Sequence, residues 1–271
     1  MNKKLLIGMV HLLALPGTPK YKDLNNVITK AKAEAELLEK LGFDAIIIEN
    51  MHDVPYLNRK VGEEIVAAFT AISITLKQTI KIPIGIQILA GANTAAIAVA
   101  KAANLDFIRG EGFVFSHVAD EGLMNSDAGK LLRYRKMIDA KNIKIYTDIK
   151  KKHSAHSITA DVSIAETAKA AEFFLSDGII ITGSSTGLPA DISELKEVRK
   201  SSKLPIFIGS GITPNNLADY YDYADGFIVG SYIKEDGYWE NDISVDRCSK
   251  LVKRFKALYN LKKYPEELIG I

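Results

Sequence analysis

The sequence predicts a (β/α)8 barrel, and three observations predict it. Eight short apolar runs (GMVH, IIIEN, PIGIQ, FIRGEG, IYTDIK, IIITG, PIFIGSG and GFIVGS) are spaced so that a helix can return between each pair. Several of the runs stop on a polar or glycine-rich tip, and a barrel of this kind carries its chemistry at the carboxyl ends of its strands. The 271 residues lie close to the roughly 250 typical of one barrel, and no Pro/Ser-rich linker or low-complexity stretch divides them. One domain over residues 1–271 is therefore expected, with a doubly wound open sheet as the competing arrangement of the same β-then-α rhythm.

Leu5 to His11 reads as the first strand, followed by a Pro/Gly loop and an Ala/Glu/Lys-rich helix from about Asn26 to Leu41, stopped by Gly42. The second strand, Ala45 to Glu49, is apolar on both faces, as suits a parallel strand between a barrel core and a helix layer. A helix over Val61 to Thr79, a third strand over Pro83 to Leu89, a short helix over Thr94 to Ala103 and a fourth strand over Asp106 to Arg109 follow. The stretch from Gly110 to about Asp127 is the longest connection on the tip side, and long ordered loops tend to carry function. Helix Lys130 to Lys141 leads to the fifth strand, Lys144 to Ile149, and helix Ile164 to Ser176 to the sixth, Gly178 to Thr182. Helix Ile192 to Ser201, strand Pro205 to Gly209, helix Asn215 to Tyr223, strand Gly226 to Val229 and helix Val245 to Tyr259 complete the eight units.

Composition narrows the function classes. A hydrophobic content of 47% with 25% charged residues suits a chain that buries a large core. The net charge of +2 is small and the lysines are scattered, so neither nucleic acid nor a membrane surface is indicated as a partner. The single cysteine, Cys248, can form no intrachain disulfide, which makes the cytoplasm the expected compartment. The start, Asn2-Lys3-Lys4 before LLIGMVHLLAL, imitates a secretory leader, but His11 interrupts the apolar run and no small-x-small cleavage site follows. That run is also too short to span a bilayer.

Two consecutive tips look suited to an anion. The seventh strand ends in Gly209-Ser210-Gly211 and the eighth in Gly230-Ser231, where glycine lets backbone N–H groups approach a phosphate closely. Gly183, Ser184 and Thr186, in the Gly/Ser/Thr-rich loop after the sixth strand, are placed in the same cradle, or against sugar hydroxyls. The bland alternative is that all these glycines only make tight turns.

Charged residues at the ends of apolar strands are costly unless paired or used. Glu49, Arg109, Asp148 and Lys150 sit at such ends. The spacing of Asp148 and Lys150 puts both on one face if the strand continues, either as a proton-transfer pair, with Lys150 available as a Schiff-base nucleophile, or as a structural ion pair. His11, ending the first strand, is read as an acid/base or substrate-orienting group. With His153, His156, Glu49 and Asp148 it offers a subordinate reading as a divalent metal site, but no tight ligand cluster is present and no cofactor is predicted. His52, Asp53, His117, Asp120 and Glu121 are candidates for a lid over the mouth.

Together these segments resemble the BtpA family, which includes the SgcQ-like proteins of bacterial carbohydrate operons. The matching pieces are Gly8-Met9-Val10-His11 with Leu15-Pro16-Gly17, Glu49-Asn50 with Asp53 and Pro55, Phe107-Ile108-Arg109, and Leu132-Arg133-Tyr134-Arg135. Lys152-His153-Ser154, Thr182-Gly183 with Thr186-Gly187, Gly209-Ser210-Gly211, and Asp225 through Ser231 with Lys234, Asp236 and Gly237 continue the match in order. Departures from the family pattern at Asn93-Thr94, Arg109-Gly110-Glu111-Gly112 and Asp120-Glu121-Gly122 fall in the mouth loops, so they bear on substrate more than on fold. The resemblance implies a barrel of the phosphate-binding type. It also implies, for cyanobacterial members, a role as biogenesis or stability factors for photosystem I, although other members occur in organisms without photosynthesis.

The expectation is an enzyme acting on a small phosphorylated sugar or nucleotide-like metabolite, with isomerase, epimerase, lyase and glycosyl-bond chemistry all open. The alternative is a non-catalytic factor for assembly of a membrane complex, using an exposed apolar patch to which Tyr220-Tyr221-Asp222-Tyr223 would contribute. Barrels often pair, so a homo-oligomer is compatible with the sequence, but nothing in it marks an interface.

Overall fold

A computed structural model describes residues 4–183, 185 and 187–263. In chain order the elements are β1 Leu5–His11, α1 Leu24–Leu41, β2 Ala45–Glu49, α2 Glu63–Thr79, β3 Ile84–Gln87, α3 Asn93–Ala102 and β4 Phe107–Gly110. There follow β5 His117–Ala119, β6 Gly122–Met124, α4 Ala128–Met137, β7 Lys144–Ile149, β8 Ser154–Ala155, α5 Ile164–Phe173 and β9 Gly178–Ile181. The last are α6 Ile192–Ser201, β10 Ile206–Ile208, α7 Leu217–Tyr221, β11 Gly226–Val229 and α8 Val245–Lys263.

Eight of these strands close a parallel barrel in the order β1-β2-β3-β4-β7-β9-β10-β11. Leu5 pairs with Gly226 on one side of β1 and His11 with Glu49 on the other. That closure identifies a TIM barrel and removes the open-sheet alternative.

The helices form where the sequence marks them. Asp23 caps α1 by accepting from the N–H groups of Asn25 (3.2 Å) and Asn26 (3.0 Å), and Gly42 ends it in the left-handed conformation. Ser163 and Glu166 make a reciprocal capping box on α5. Two helices stop short of their apolar periodicity because a left-handed residue follows: Asp139 after α4 and Leu175 after α5, with φ of 51° and 64°. The connection after β4 is not an open loop. It folds into a β5–β6 hairpin, and β5 also pairs with β8, tying the β4 loop to the β7 loop.

Alternation along each strand divides the core in two. One set of side chains packs outward against the helices, and the other fills the axis with Ile7, Met9, Ala45, Ile47, Phe107, Ile180, Phe207 and Ile228. Phe107 lies across Gly85, where an added Cβ would come 2.2 Å from its ring, and Tyr146 packs on Phe107 and on Phe207 with centroids at 5.2 and 4.7 Å. The ring therefore has little room to retreat. Gly85→Ala is expected to destabilise the protein by about 1–3 kcal/mol through overpacking, read as a lower urea midpoint with an unchanged slope.

Candidate functional site

The parity that sends isoleucines and aromatic rings to the barrel axis sends polar side chains to its mouth. His11, Glu49, Gln87, Arg109 and Asp148 stand two residues beyond Met9, Ile47, Gly85, Phe107 and Tyr146 and line a cavity of about 600 Å³. His11, Glu49 and Gln87 are direct neighbours in the sheet register.

Arg109 and Asp148 form the floor of this cavity. Arg109 Nε donates to Asp148 Oδ2 and Nη2 to Oδ1, both at 2.8 Å, with both side chains buried. Although burial works against its charge, Asp148 raises the guanidinium's hold on its proton. The sequence expectation for Asp148 is corrected accordingly: both its oxygens are taken by Arg109, and Lys150 is not its partner. The strand ends at Ile149, and Lys150 takes a left-handed φ of 46°, sending its Nζ to the carbonyl of Thr159 at 2.9 Å, outside the cavity. Lys151 and Lys152 occupy the mouth instead.

Of the three buried carboxylates of the cavity, Glu49, Glu111 and Asp148, Glu49 alone has no ion pair to a lysine or arginine among the described residues. Burial raises its pKa to about 7, with Arg109 and Lys152 working against that rise. His11 is driven the other way, down to about 3, by burial and then by Lys234. Its Nδ1 lies 3.1 Å from the carbonyl oxygen of Trp239, which can only accept, so Nδ1 carries the proton and Nε2 is an acceptor. Nε2 stands 3.7 Å from Glu49 Oε2, beyond hydrogen-bond reach, so the Glu49 proton is not locked onto the imidazole.

A second polar group lies at the β3 and β4 tips. Glu111, one step past β4, is buried with Oε1 3.2 Å from Gln87 Nε2 and 3.1 Å from Lys151 Nζ. Against the effect of burial, Lys151 and Arg109 hold Glu111 below the usual carboxylate range. Lys152 is pushed down by burial and then by Arg109, and its backbone N–H donates to Thr182 Oγ1 at 3.0 Å. Gln87, Glu111, Lys151, Trp239 and Arg247 were missed in the sequence. Parity along the strands was the available signal for Gln87 and Glu111, whereas Trp239 and Arg247 arrive from the last loop and helix, where nothing local announces them.

At the β10 and β11 tips, Gly209, Ser210, Gly211, Gly230 and Ser231 all line the cavity. Among the described residues, no acceptor takes the N–H of Gly211, Ile212, Ser231 or Tyr232. Gly211 has a φ of +68°, and a Cβ there would strike the backbone of Pro189 at 2.3 Å. Gly230 leaves room for the imidazole of His11, whose Nε2 would lie 3.3 Å from an added Cβ. Arg247, in the first turn of α8, reaches the same corner; its Nε donates to the Tyr232 carbonyl at 2.6 Å and its guanidinium lies over the Tyr232 ring at 4.5 Å. Two expectations are corrected. The N–H of Gly183 donates to Ser210 Oγ at 2.7 Å, and that hydroxyl donates to the Leu188 carbonyl at 2.9 Å, so both groups join tips to one another instead of facing a ligand. Ser184 and Thr186 lie outside the described residues.

Of the lid candidates, Asp120 and Glu121 line the cavity from the β5–β6 hairpin. Asp53 is instead a buried tie between loops, accepting from Leu15 N at 2.7 Å and Asn50 Nδ2 at 2.8 Å. His52 props Trp239, with ring centroids 5.0 Å apart, and His117 packs against His156 at a tilt in a side pocket. Of the five groups of the metal reading, His11, Glu49, Asp148 and His153 line the cavity and His156 lines the side pocket, and among the described residues no three His, Cys, Asp or Glu side chains gather to hold an ion.

The fold and mouth define the class: a TIM barrel with a polar cavity at the carboxyl ends of its strands. Solved structures share that fold. Among them are thiamine phosphate pyrophosphorylase from Pyrococcus furiosus (TM-score 0.57, 15% identity, 94% of this chain and 96% of that one) and (S)-3-O-geranylgeranylglyceryl phosphate synthase from Thermoplasma acidophilum with sn-glycerol-1-phosphate (0.60, 15%, 94% and 94%). The chain belongs to the BtpA family, whose profile matches residues 2–257. It is 48% identical to a mitochondrial protein of Caenorhabditis elegans over 95% of both chains. It is also 34% identical to the photosystem I biogenesis protein BtpA of Synechocystis, over 92% of this chain and 86% of that one.

Two expectations follow from the buried charges. Asp148→Asn leaves Arg109 buried without its counter-ion and should lower unfolding stability by about 3 kcal/mol or more in urea titrations. For Glu49 the folded pKa lies above the unfolded one, so the native state binds the extra proton, and the resulting stability is present at low pH and lost on alkalinisation. As pH rises from 4.5 to above 7, wild type should therefore lose on the order of 2–3 kcal/mol relative to Glu49→Gln, measured by chemical denaturation across that range.

Proposed function

We propose that the cavity binds a small phosphorylated metabolite, a sugar phosphate or nucleotide-like compound, with its phosphate at the β10 and β11 tips and proton transfer by Glu49. The observation that carries this reading is a buried carboxylate with a pKa of about 7 in the same cavity as a set of backbone N–H groups without acceptors among the described residues. Arg247 adds a cation at that corner, restrained by Tyr232 so that less side-chain freedom is lost on binding. The names of the two solved neighbours, each of which includes a phosphate, agree with such a ligand.

Isomerisation or epimerisation suits the site best. Glu49 abstracts a proton from the carbon next to a carbonyl, the electron pair passes to the carbonyl oxygen, and Arg109, held flat by Asp148, faces the charge that develops there. His11, neutral and with Nε2 as acceptor, orients a substrate hydroxyl. The Lys150 Schiff-base route falls away because its amine is bound outside the cavity.

The assembly-factor reading draws on the printed name of the Synechocystis relative. Its expected patch is corrected, since Tyr220 and Tyr221 are buried. Phe173, 81% exposed, and Leu175, 67% exposed, at the end of α5 are the apolar surface such a factor would use. Among the described residues no helix is long and apolar enough to cross a membrane. The single buried thiol suits a reducing compartment, which we take to be the cytoplasm, although the Caenorhabditis elegans relative carries a mitochondrial designation.

Melting temperatures measured against phosphorylated sugars and nucleotides, beside their unphosphorylated counterparts, test the reading. A rise confined to the phosphorylated compounds is expected, and no rise with any of them returns the weight to the assembly role. Arg247→Met should weaken binding of the stabilising compound about tenfold while leaving the free protein's melting temperature nearly unchanged. Glu49→Gln should retain binding and slow exchange of a substrate carbon-bound proton with D2O by about 10²–10⁴, followed by NMR.

A further inference from the structure

Two buried oxygen acceptors at one side of the cavity have no donor. Gln87 Oε1 and Glu111 Oε2 each lack a partner in hydrogen-bond geometry among the described residues, although Gln87 is 2% and Glu111 6% exposed; the backbone N–H of Gly91 favours the charged form of the Glu111 carboxylate without making such a bond. Leaving such atoms dry and unpaired is expensive, so each calls for an explanation. The orientation of Gln87 is not arbitrary. Its amide nitrogen faces Glu111 Oε1 at 3.2 Å, and an ionised carboxylate only accepts, so the atom pointing elsewhere is the oxygen.

Their place in the barrel gives the acceptors meaning. In the strand order β1-β2-β3-β4-β7-β9-β10-β11, the pair β3 and β4 stands four positions from β10 and β11, directly across the mouth. A ligand whose phosphate sits at the β10 and β11 tips would carry its far end to Gln87 and Glu111. What that end must offer is hydrogen-bond donors. Lys151 pairs with Glu111, with Nζ at 3.1 Å, and Arg109 pairs with Asp148, so both buried carboxylates here already have a cation, while Asp120 and Glu121 also line the cavity and make an ammonium the rival to a hydroxyl that the test must separate.

We infer that Gln87 and Glu111 form a hydroxyl-binding subsite, and that the ligand is a polyhydroxylated phosphate ester whose hydroxyls lie at the end remote from phosphate. This rests on the phosphate reading above and narrows it to polyol and sugar phosphates. Hydroxyls suit both atoms because each donates one hydrogen bond without adding charge. A site built around buried acceptors also discriminates strongly against a ligand lacking donors, since desolvated oxygens are then left unpaired.

Calorimetric titration of the full chain with ribose 5-phosphate and glucose 6-phosphate, beside pentyl phosphate and 5-aminopentyl phosphate, tests the subsite. The sugar phosphates should bind at least about tenfold more tightly than pentyl phosphate, and the near-isosteric Gln87→Met should reduce that ratio severalfold while leaving pentyl phosphate affinity unchanged. If Gln87→Met fails to fold, the ligand comparison on the unaltered protein decides alone. Equal affinity for sugar phosphates and pentyl phosphate overturns the subsite and leaves the phosphate corner standing. Preference for the aminopentyl ester over the sugar phosphates overturns it in favour of an ammonium site. Free ribose or glucose binding as tightly as its phosphate, with dependence on Gln87, retains the subsite and removes the phosphate corner. Binding of none of these compounds overturns both.

Discussion

The bidentate pair between Arg109 and Asp148 is the boundary on which the rest of the molecule depends. Below it the barrel is filled by isoleucines and three aromatic rings, and above it His11, Glu49, Gln87 and Glu111 enter a cavity that they share with apolar side chains such as Met51, Leu89 and Val229. Two opposite charges on adjacent strands, each satisfied by the other through two parallel hydrogen bonds, are the means by which an apolar interior can give way to a polar cavity within one residue pair. A single charge at that depth would have to be neutralised or drowned in water. The pair also fixes the guanidinium plane, so whatever enters the mouth meets a preset dipole and not a flexible cation.

The walls of the mouth are held by ties that run between neighbouring units. Asn50 and Asp53 join the tips of β1, β2 and β3 through Leu15 and Leu89, at 2.7 and 2.8 Å. Buried Lys234 reaches Glu34 of α1 at 2.8 Å and so anchors the last loop, whose Trp239 carbonyl fixes the tautomer of His11. An element that touches no ligand thereby determines which imidazole nitrogen faces the cavity. On the far side, Arg59 binds the carbonyls of Gly91, Gly112 and Asn125 and pairs with Asp127 at 2.8 Å, pinning the loop that carries Glu111.

The barrel was legible because its signals are local. Strands β1, β2, β7 and β11 and helix α6 fall where apolar runs and their stops place them. The mouth was legible only as far as strand parity extends: Glu49 and Arg109 follow it, but Lys150 breaks it, because a single left-handed residue ends the strand and hands the mouth to Lys151 and Lys152. No periodicity reports such a turn. Ser210 and Gly183 have the composition of an anion cradle, yet they bond to one another, a distinction set by the path of residues 188–189 and not by residue type. Trp239 and Arg247 are remote in sequence from every strand tip they serve except that of β11, so only the closure of the barrel reveals them.

Stability alone does not account for this mouth. A barrel top needed only as a scaffold could carry apolar residues at positions 49, 87 and 111, which would avoid burying a carboxylate driven to a pKa of about 7 and two acceptors without donors. Each of these choices opposes folding, and all three residues line one cavity, although buried side-chain atoms without partners also occur among the described residues at Glu34, Arg59, Ser73, His117 and Tyr221. Local costs concentrated where a ligand of suitable chemistry would relieve them are the physical mark of a binding site. The arrangement also explains why His11 and Glu49 shift in opposite directions: burial penalises the charged form of both, so near pH 7 His11 is neutral and Glu49 is close to its midpoint, and a proton can enter or leave the carboxylate without a counter-charge being moved.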